Sequence, residues 1–453
     1  MTAAQHRKEN GNRPPAGGKT YDDRKFRYLH PADQITMIME RIYRYGMTTT
    51  SGGNISVKDD DGSIWVSPSG IDKNSLTNRD IVHVHEDGRV EGLHKPSSEF
   101  PFHRAIYRIR PDIRAILHAH PPALVAFSTA GVIPATDVLP NTKIVCGEPG
   151  FADYAPPGSE ELGAKIADRF AAGHNIVIME NHGTVTGADD LFQAFMQFET
   201  LDFTARIQIQ AKALGSVHRI PDDKLDLTRT RKNELPEFTP GPPESTEKAL
   251  RKEMCALIHR SYDQGLFTST EGTFAVRLDP SRFLITPYGF DRKYLRPDDI
   301  VLIRSGKREE GKLPSRSVLL HERIFATRPQ INAAIIAHPP NLMAFNVTRT
   351  DINTRIIPEA YILLRDIGRI PFSAPITDHD ATCDAVSAAS PIVAVENNGY
   401  LVTGGSLLEA FDRLEVAEYS AKAVLGAMQL GTVRVMEDAV IDSLIDAFAL
   451  PRE

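Results

Sequence analysis

Subtracting residue numbers within the chain exposes its strongest constraint. Pro96, Ser97, His103, Pro111, His120, Pro121, Pro122 and Pro140 recur as Pro314, Ser315, His321, Pro329, His338, Pro339, Pro340 and Pro358, every pair 218 apart. Eight identities at one displacement mean that a unit of roughly 200 residues is present twice, so one fold has to accommodate both copies. Upstream the displacement is 219, pairing Gly70 with Gly289, and downstream it is 216, pairing Glu180, Asn181 and Gly183 with Glu396, Asn397 and Gly399. Short loop deletions produce such a drift. The metal-binding residue types are not kept: Glu99 becomes Ser317, His118 becomes Ile336 and His182 becomes Asn398, leaving His120 alone to survive, as His338. One imidazole does not hold a divalent ion tightly.

For 453 residues a duplication makes two domains the natural count. A formal charge of −7, with 25% charged residues of both signs, provides no broad basic face for nucleic acid and points to small-molecule business. Cys146, Cys255 and Cys383 show no Cys-x-x-Cys spacing, which argues against a disulfide framework or a thiolate zinc site and fits a reducing cytoplasm. The first thirty residues contain no apolar signal core, and no later stretch is long and apolar enough for a bilayer, so neither export nor membrane insertion is expected.

The expected organisation is a polar, flexible extension over 1–28, a first domain over 29–220, a linker over 221–246 and a second domain over 247–453. Helix begins near Pro31, where Ile35, Met37, Met39, Ile42 and Tyr43 offer an apolar face, and restarts near Glu247. The linker is charged, then Pro-rich, and offers little to bury. In the first copy Ile64–Val66, Ile81–Val84, Ala115–Ala119 and Ile176–Met179 read as strands, and 98–110, 121–130, 159–172 and 189–213 as helices. That alternation predicts a mixed α/β layered domain.

His118 and His120 flank Ala119 in a strand, where alternate side chains share a face, so the two imidazoles can chelate one ion. Zinc accepts imidazole and carboxylate oxygen, and a catalytic site needs three protein ligands with a position left open. His118, His120 and His182 can serve as those three. The similar pair His83 and His85 precedes a turn at Glu86-Asp87-Gly88, becomes Leu302 and Arg304 in the second copy, and has no evident third ligand nearby, so a structural role is expected for it.

Five motifs in order, Gly53-Asn54, Ser67-Pro68-Ser69-Gly70, Pro96-Ser97-Ser98-Glu99, His118-Ala119-His120-Pro121 and Asn181-His182-Gly183, make the copy over about 30–220 resemble the class II aldolase/adducin family. The family is typified by L-fuculose-phosphate aldolase and L-ribulose-5-phosphate 4-epimerase. The resemblance implies two tandem α/β/α layered domains, each with a central, mostly antiparallel sheet. It implies zinc on His118, His120 and His182, with Mn2+, Co2+ or Fe2+ accommodated by the same donors. Glu99 would be a fourth ligand that swings off to act as acid/base. In retro-aldol cleavage the metal chelates the carbonyl and adjacent hydroxyl of a ketose and stabilises the ene-diolate, while a carboxylate moves protons. Glutamate rather than aspartate at 99 favours the aldolase branch. Asn54, Ser69, Gly70, Ser97 and Ser98 match the family's phosphate pocket, although no Lys or Arg stands at the matched positions.

Members of this family are commonly fourfold rings in which a neighbour's tyrosine protonates the leaving alkoxide. The resemblance therefore implies a homodimer or higher oligomer forming a pseudo-fourfold ring, in which the metal-free second domain lends Tyr361, with Glu359 beside it, to a neighbouring first domain. Displacement 218 sets Tyr361 opposite Lys143. The leading functional reading is a zinc-dependent lyase that cleaves a small sugar phosphate. A metal-dependent epimerase, dehydratase or decarboxylase on the same scaffold is the runner-up, and a non-catalytic adducin-like scaffold is the reading from a different class.

Overall fold

The computed structural model describes residues 26–230 and 233–450; most of the extension expected over 1–28 lies outside the described residues. Its last residues do not hang free. Phe26 meets the Phe192 ring at 6.1 Å, and Arg27 pairs with Asp189 at 2.6 Å and Asp190 at 3.0 Å.

The first copy runs α1 (Pro31–Arg44), β1 (Asn54–Lys58), β2 (Ile64–Val66), β3 (Val82–Val84), β4 (Val90–Glu91), α2 (Phe100–Ile109), β5 (Ala115–Ala119), α3 (Pro122–Thr129), α4 (Pro140–Cys146), β6 (Gly150–Ala152), α5 (Glu160–Ala171), β7 (Ile176–Met179), β8 (Thr184–Ala188) and α6 (Leu191–Ala211). Its sheet has the order β4-β3-β2-β1-β5-β8-β7-β6, antiparallel except at β6–β7. The chemistry of the ends explains the helix limits. Proline opens α1, α3 and α4, and Ser159 and Asp190 accept backbone N–H bonds at the starts of α5 and α6.

Strand β5 is buried along its whole length because helices cover both faces of the sheet. Leu117 and Ala119 join Ile35, Met39 and Ile42 of α1 and Phe195 and Phe198 of α6 on one side. Ile116 joins Phe102 and Ile106 of α2 and Ile166 and Phe170 of α5 on the other. Each fully buried side chain of this size contributes roughly 1.5–3 kcal/mol. His118 shares its strand face with Ile116, so it reaches towards α2 from a strand that cannot shift register without turning this set over.

Between the copies, α7 (Asp222–Leu227) and β9 (Glu237–Phe238) precede α8 (Ser245–Asp263). This segment buries more than its composition suggests: Ile220 and Leu225 pack on Phe372, and β9 adds a parallel edge to the second sheet.

The second copy repeats the plan with β10 (Thr273–Asp279), β11 (Arg282–Ile285), β12 (Val301–Arg304), β13 (Lys307–Glu309), α9 (Val318–Thr327), β14 (Ala333–Ala337), α10 (Pro340–Val347), α11 (Pro358–Leu364), β15 (Ile367–Ile370), α12 (Ala374–Thr377), α13 (His379–Asp384), β16 (Ile392–Val395), β17 (Gly399–Gly404), α14 (Leu407–Leu430) and α15 (Asp438–Ala447). Its order, β15-β16-β17-β14-β10-β11-β12-β13-β9, matches the first sheet strand for strand, with β9 added. Register repeats too: Asn54 faces His118 across β1–β5, and Thr273 faces Ile336 across β10–β14. The copies share one core, in which Val138, Leu139, Phe203 and Ile207 of the first pack among Met254, Leu257, Leu342 and Phe345 of the second.

Candidate metal centre

The bottom of the site is the β5 pair. Antiparallel β8 runs beside it, and the turn joining β7 to β8 carries Asn181-His182-Gly183. Asn181 takes the left-handed conformation, φ 51°, which asparagine tolerates better than most residues. Gly183 is needed for clearance: a Cβ there would sit 2.5 Å from the Ala119 carbonyl oxygen and 2.5 Å from the His120 ring. With glycine in place, His182 folds onto the pair. Ring centroids are 4.7 Å apart for His118–His120 and 5.0 Å for His182 with each of them.

Nitrogen atoms of His118, His120 and His182 all lie within 4.8 Å of one another. His118 Nδ1 donates to the Thr184 carbonyl at 3.0 Å, which turns its Nε2 towards the cluster. Glu99 Oε2 lies 3.2 Å from His118 Nε2, and Glu99 Oε1 lies 3.5 Å from His182 Nε2. His118 Nε2, His120 Nε2 and Glu99 Oε1 are buried without a hydrogen-bond partner, the condition in which polar atoms are most costly unless a ligand satisfies them. Three imidazoles and one carboxylate suit zinc, and the donor set fits a divalent cation.

Electrostatics favour the ligating protonation states. Burial, then the neighbouring His118 and His182, pushes His120 down to about 3, and burial with His118 pushes His182 down to about 4, so both rings are neutral at ordinary pH. Burial alone would raise the Glu99 carboxyl, but His118, His182 and a hydrogen bond from Asn54 outweigh it and hold the carboxyl well below the usual range.

Asn54, expected in the phosphate pocket, faces Glu99. It is 2% exposed, and both polar ends are engaged inside the chain: Nδ2 donates to Glu99 Oε2 at 2.8 Å and Oδ1 accepts from His103 Nε2 at 2.5 Å. His103 in turn bonds Ser56 Oγ through Nδ1 at 2.7 Å, and Ser56 Oγ lies 2.7 Å from the Tyr107 hydroxyl. This line of buried groups holds the Asn54 amide against the Glu99 carboxylate. His103 was visible as a repeat identity, but nothing in its spacing disclosed this link.

The other residues expected in the phosphate pocket sit on two paired loops. Ser69 N donates to Lys95 O at 3.0 Å and Ser97 N to Ser67 O at 3.2 Å. Ser69, Gly70 and Ser98 are exposed, while Ser97 Oγ accepts from Glu99 N at 3.3 Å. A cation is present after all: Lys73 Nζ donates to the Pro68 carbonyl at 2.7 Å beneath this loop, and burial pulls it down to about 8.

Two further expectations meet the structure here. The His83 and His85 pair does acquire a third donor, Glu91, across the β3–β4 hairpin, within 4.8 Å. Local packing accounts for this trio, since His83 stacks on Trp65 at 4.1 Å and His85 Nε2 pairs with Glu91 at 3.0 Å. Tyr361 is 7% exposed in α11, with the Arg365 guanidinium 4.8 Å from its ring centroid. Among the described residues no hydrogen bond or ring contact joins it to the histidine cluster of its own chain.

In the second copy Thr273 Oγ1 bonds Ser315 Oγ at 2.8 Å, and Ser315 Oγ lies 3.1 Å from Ser317 Oγ, where the first copy has Asn54 and Glu99. Ile336 stands at the position of His118.

The buried histidines carry a pH prediction. Burial, with His118 adding to it, holds His103 down to about 3, and burial holds His321 down to about 4 despite its bond to the Ser317 carbonyl. Their folded values lie below the unfolded value of about 6.5, so only the unfolded chain takes up these protons as pH falls below it. Stability is complete above pH 6.5 and is withdrawn on acidification, roughly 1.4 kcal/mol per pH unit for each imidazole. For metal-stripped protein the urea midpoint falls between pH 7 and pH 5; an unchanged midpoint contradicts the assignment.

The fold and site define two copies of one α/β domain, one furnished with metal donors and one without them. The domain described as class II aldolase and adducin N-terminal domain matches twice, over residues 33–209 and 252–425, and the chain belongs to that family. It is 32% identical over 202 residues to a 5-deoxy-D-ribulose 1-phosphate aldolase of Bacillus thuringiensis serovar kurstaki, covering 43% of this chain and 91% of that one. It is 34% identical over 178 residues to an L-fuculose phosphate aldolase of Methanocaldococcus jannaschii, covering 39% and 94%. It is also 30% identical over 183 residues to a 3-oxo-tetronate 4-phosphate decarboxylase of Haemophilus influenzae, covering 40% and 87%. Among the described residues no helix is long and apolar enough to cross a membrane.

Proposed function

We propose that this chain is a zinc-dependent aldolase cleaving a small ketose phosphate, with zinc on His118, His120, His182 and, before substrate arrives, Glu99. The observation that carries the reading is the convergence of three imidazoles within 4.8 Å, with Glu99 against two of them. A divalent cation held there supplies Lewis-acid polarisation of the substrate carbonyl.

This chain's own residues do the rest. In retro-aldol cleavage the hydroxyl β to the carbonyl loses its proton, the carbon–carbon bond breaks, and its electron pair passes to the carbonyl side, whose carbon is then protonated. Glu99, aimed by Asn54 and His103, moves the proton at that carbon. Ser69, Gly70, Ser97 and Ser98 receive the phosphate, with Lys73 behind the loop adding positive charge. Asn54 positions the base rather than binding phosphate.

Tyr361 of a second chain exchanges the proton with the aldehyde-side oxygen. Support comes from the contact inside one chain: Asn397 Nδ2 donates to Val138 O at 3.0 Å and to His218 O at 2.7 Å. Val138 directly precedes the segment matching that of Tyr361, and Asn397 matches Asn181, the neighbour of His182. The same placement between chains brings α11 to the live site. Tyr361→Phe is expected to lower kcat about 100-fold, with zinc content unchanged; unchanged turnover refutes the assignment.

The decarboxylase relative supports a second reading on the same donors. Incubation with L-fuculose 1-phosphate, 5-deoxy-D-ribulose 1-phosphate and 3-oxo-tetronate 4-phosphate separates the two. Release of an aldehyde supports the aldolase, and release of carbon dioxide alone supports the decarboxylase. Buried thiols at Cys146, Cys255 and Cys383 fit a reducing, cytoplasmic setting.

A further inference from the structure

The hairpin of β3 and β4 gathers a second group of metal donors. His83 and His85 lie two residues apart, so their side chains share one face, and Glu91 is the cross-strand partner of His83 on that face. One ligating atom from each of the three lies within 4.8 Å of the others. Donors bound to one zinc ion at about 2.0–2.1 Å stand about 3.3 Å apart, so small side-chain rotations close the set.

Packing places these groups but leaves one of them unanswered. His83 stacks on the Trp65 ring at 4.1 Å with 6° between the planes, and His85 Nε2 lies 3.0 Å from Glu91 Oε2. His83 Nε2 is buried with no hydrogen-bond partner among the described residues. A buried polar atom in that condition is costly until something binds it. His85 is half-buried and Glu91 exposed, so ions and water reach the group from one side.

The surroundings favour a cation. Asp59 and Asp61, from the turn between β1 and β2, act on His83 as further negative charges beside Glu91. Arg89 opposes them, but it stands 3.9 Å from Glu91 on an exposed side chain that can turn away.

The repeat shows that the hairpin forms without these residues. In the second copy Leu302 and Arg304 replace His83 and His85, yet β12 and β13 pair antiparallel as β3 and β4 do. What differs is the edge. β13 is held from outside by β9, where Arg308 N donates to the Pro236 carbonyl at 2.9 Å and the Arg308 guanidinium pairs with Glu237 at 2.6 Å. β4 is the last strand of the first sheet.

We propose that His83, His85 and Glu91 form a second, exchangeable site for a borderline divalent cation such as Zn2+, Ni2+ or Cu2+, which ties β4 to β3. Two imidazoles and one carboxylate select such ions over Mg2+ and Ca2+, which prefer oxygen shells. With water completing its coordination on the open side, the ion is held more loosely than by three imidazoles and Glu99, and dialysis removes it. The site is independent of the chemistry at His118, His120 and His182.

Trp65 is the single tryptophan of the chain, so its emission reports on the site directly. Ni2+ is titrated into the dialysed, zinc-reconstituted full chain at about pH 7.5, where an ordinary imidazole is largely neutral. The paramagnetic ion is expected to quench Trp65 saturably, and added Zn2+ to reverse the quench. His85→Ala and Glu91→Gln, which leave the His83–Trp65 stack in place, are expected to raise the Ni2+ needed for half-quenching about tenfold or more, with an unchanged circular dichroism spectrum. His120→Ala is expected to leave the quench as it is, which separates this site from the first cluster. No saturable quench, a quench unchanged in both His85→Ala and Glu91→Gln, or one that His120→Ala removes would each overturn the proposal.

Discussion

Glu99→Gln lowers turnover about 1,000-fold while zinc stays bound, within the range general acid–base groups supply. Glutamine keeps the shape and can still accept from Asn54 Nδ2, so the link through Asn54 and His103 survives. Three imidazoles remain as ligands, and three suffice for a catalytic site. What disappears is the ionisable carboxylate, the group able to take up and return a proton. The measurement is kcat on the substrate found by aldehyde release, with zinc determined on the same sample. Turnover within tenfold of wild type shows that Glu99 is not the proton carrier. Lost zinc with lost activity would make it an indispensable ligand instead.

Arg41→Met is the second large effect, on stability rather than chemistry. Arg41 of α1, 1% exposed, binds Asp291 of the second copy, 5% exposed, through two guanidinium nitrogens at 2.5 and 2.9 Å, and its Nε donates to the Tyr262 hydroxyl, which donates to Glu199. Methionine leaves the Asp291 carboxylate, and with it the Tyr262 and Glu199 pair, without the buried cation that balances them. Breaking a buried pair from one side costs about 3–5 kcal/mol, because the surviving charge stays desolvated. Urea denaturation of Arg41→Met is expected to show that loss, and the double variant Arg41→Met with Asp291→Leu to recover most of it, since replacing both partners with apolar groups is close to neutral. A single-variant loss below about 1 kcal/mol would show that the cluster holds the copies together less than its geometry implies.

Much of the site was legible in the chain because its logic is local. A two-residue period puts His118 and His120 on one face, and the Asn-His-Gly turn needs a glycine where the histidines crowd it. Proline and cap residues marked the helix starts to within two residues of α2, α3, α5 and α6. What escaped depends on distant partners. Asn54 was placed in the anion pocket by its motif alone, because its two partners, Glu99 and His103, lie 45 and 49 residues on. Glu91 came to His83 and His85 only through the pairing of β3 with β4. The segment over 221–246 shows no period, and its anchor Leu225, with Ile220 just before the segment, meets Phe372, 147 residues on. Arg41 resembles any charged residue on an amphipathic helix until Asp291 appears, 250 residues away.

Zinc content of the purified, dialysed chain tests the account most directly, measured beside the variants His120→Ala, His338→Ala and His85→Ala. One furnished domain and one bare one require about one ion per chain, lost with His120→Ala and kept with His338→Ala and His85→Ala. No tightly held metal after zinc reconstitution, or metal that survives His120→Ala, would contradict the assignment of the metal to the first domain's cluster and with it the aldolase reading.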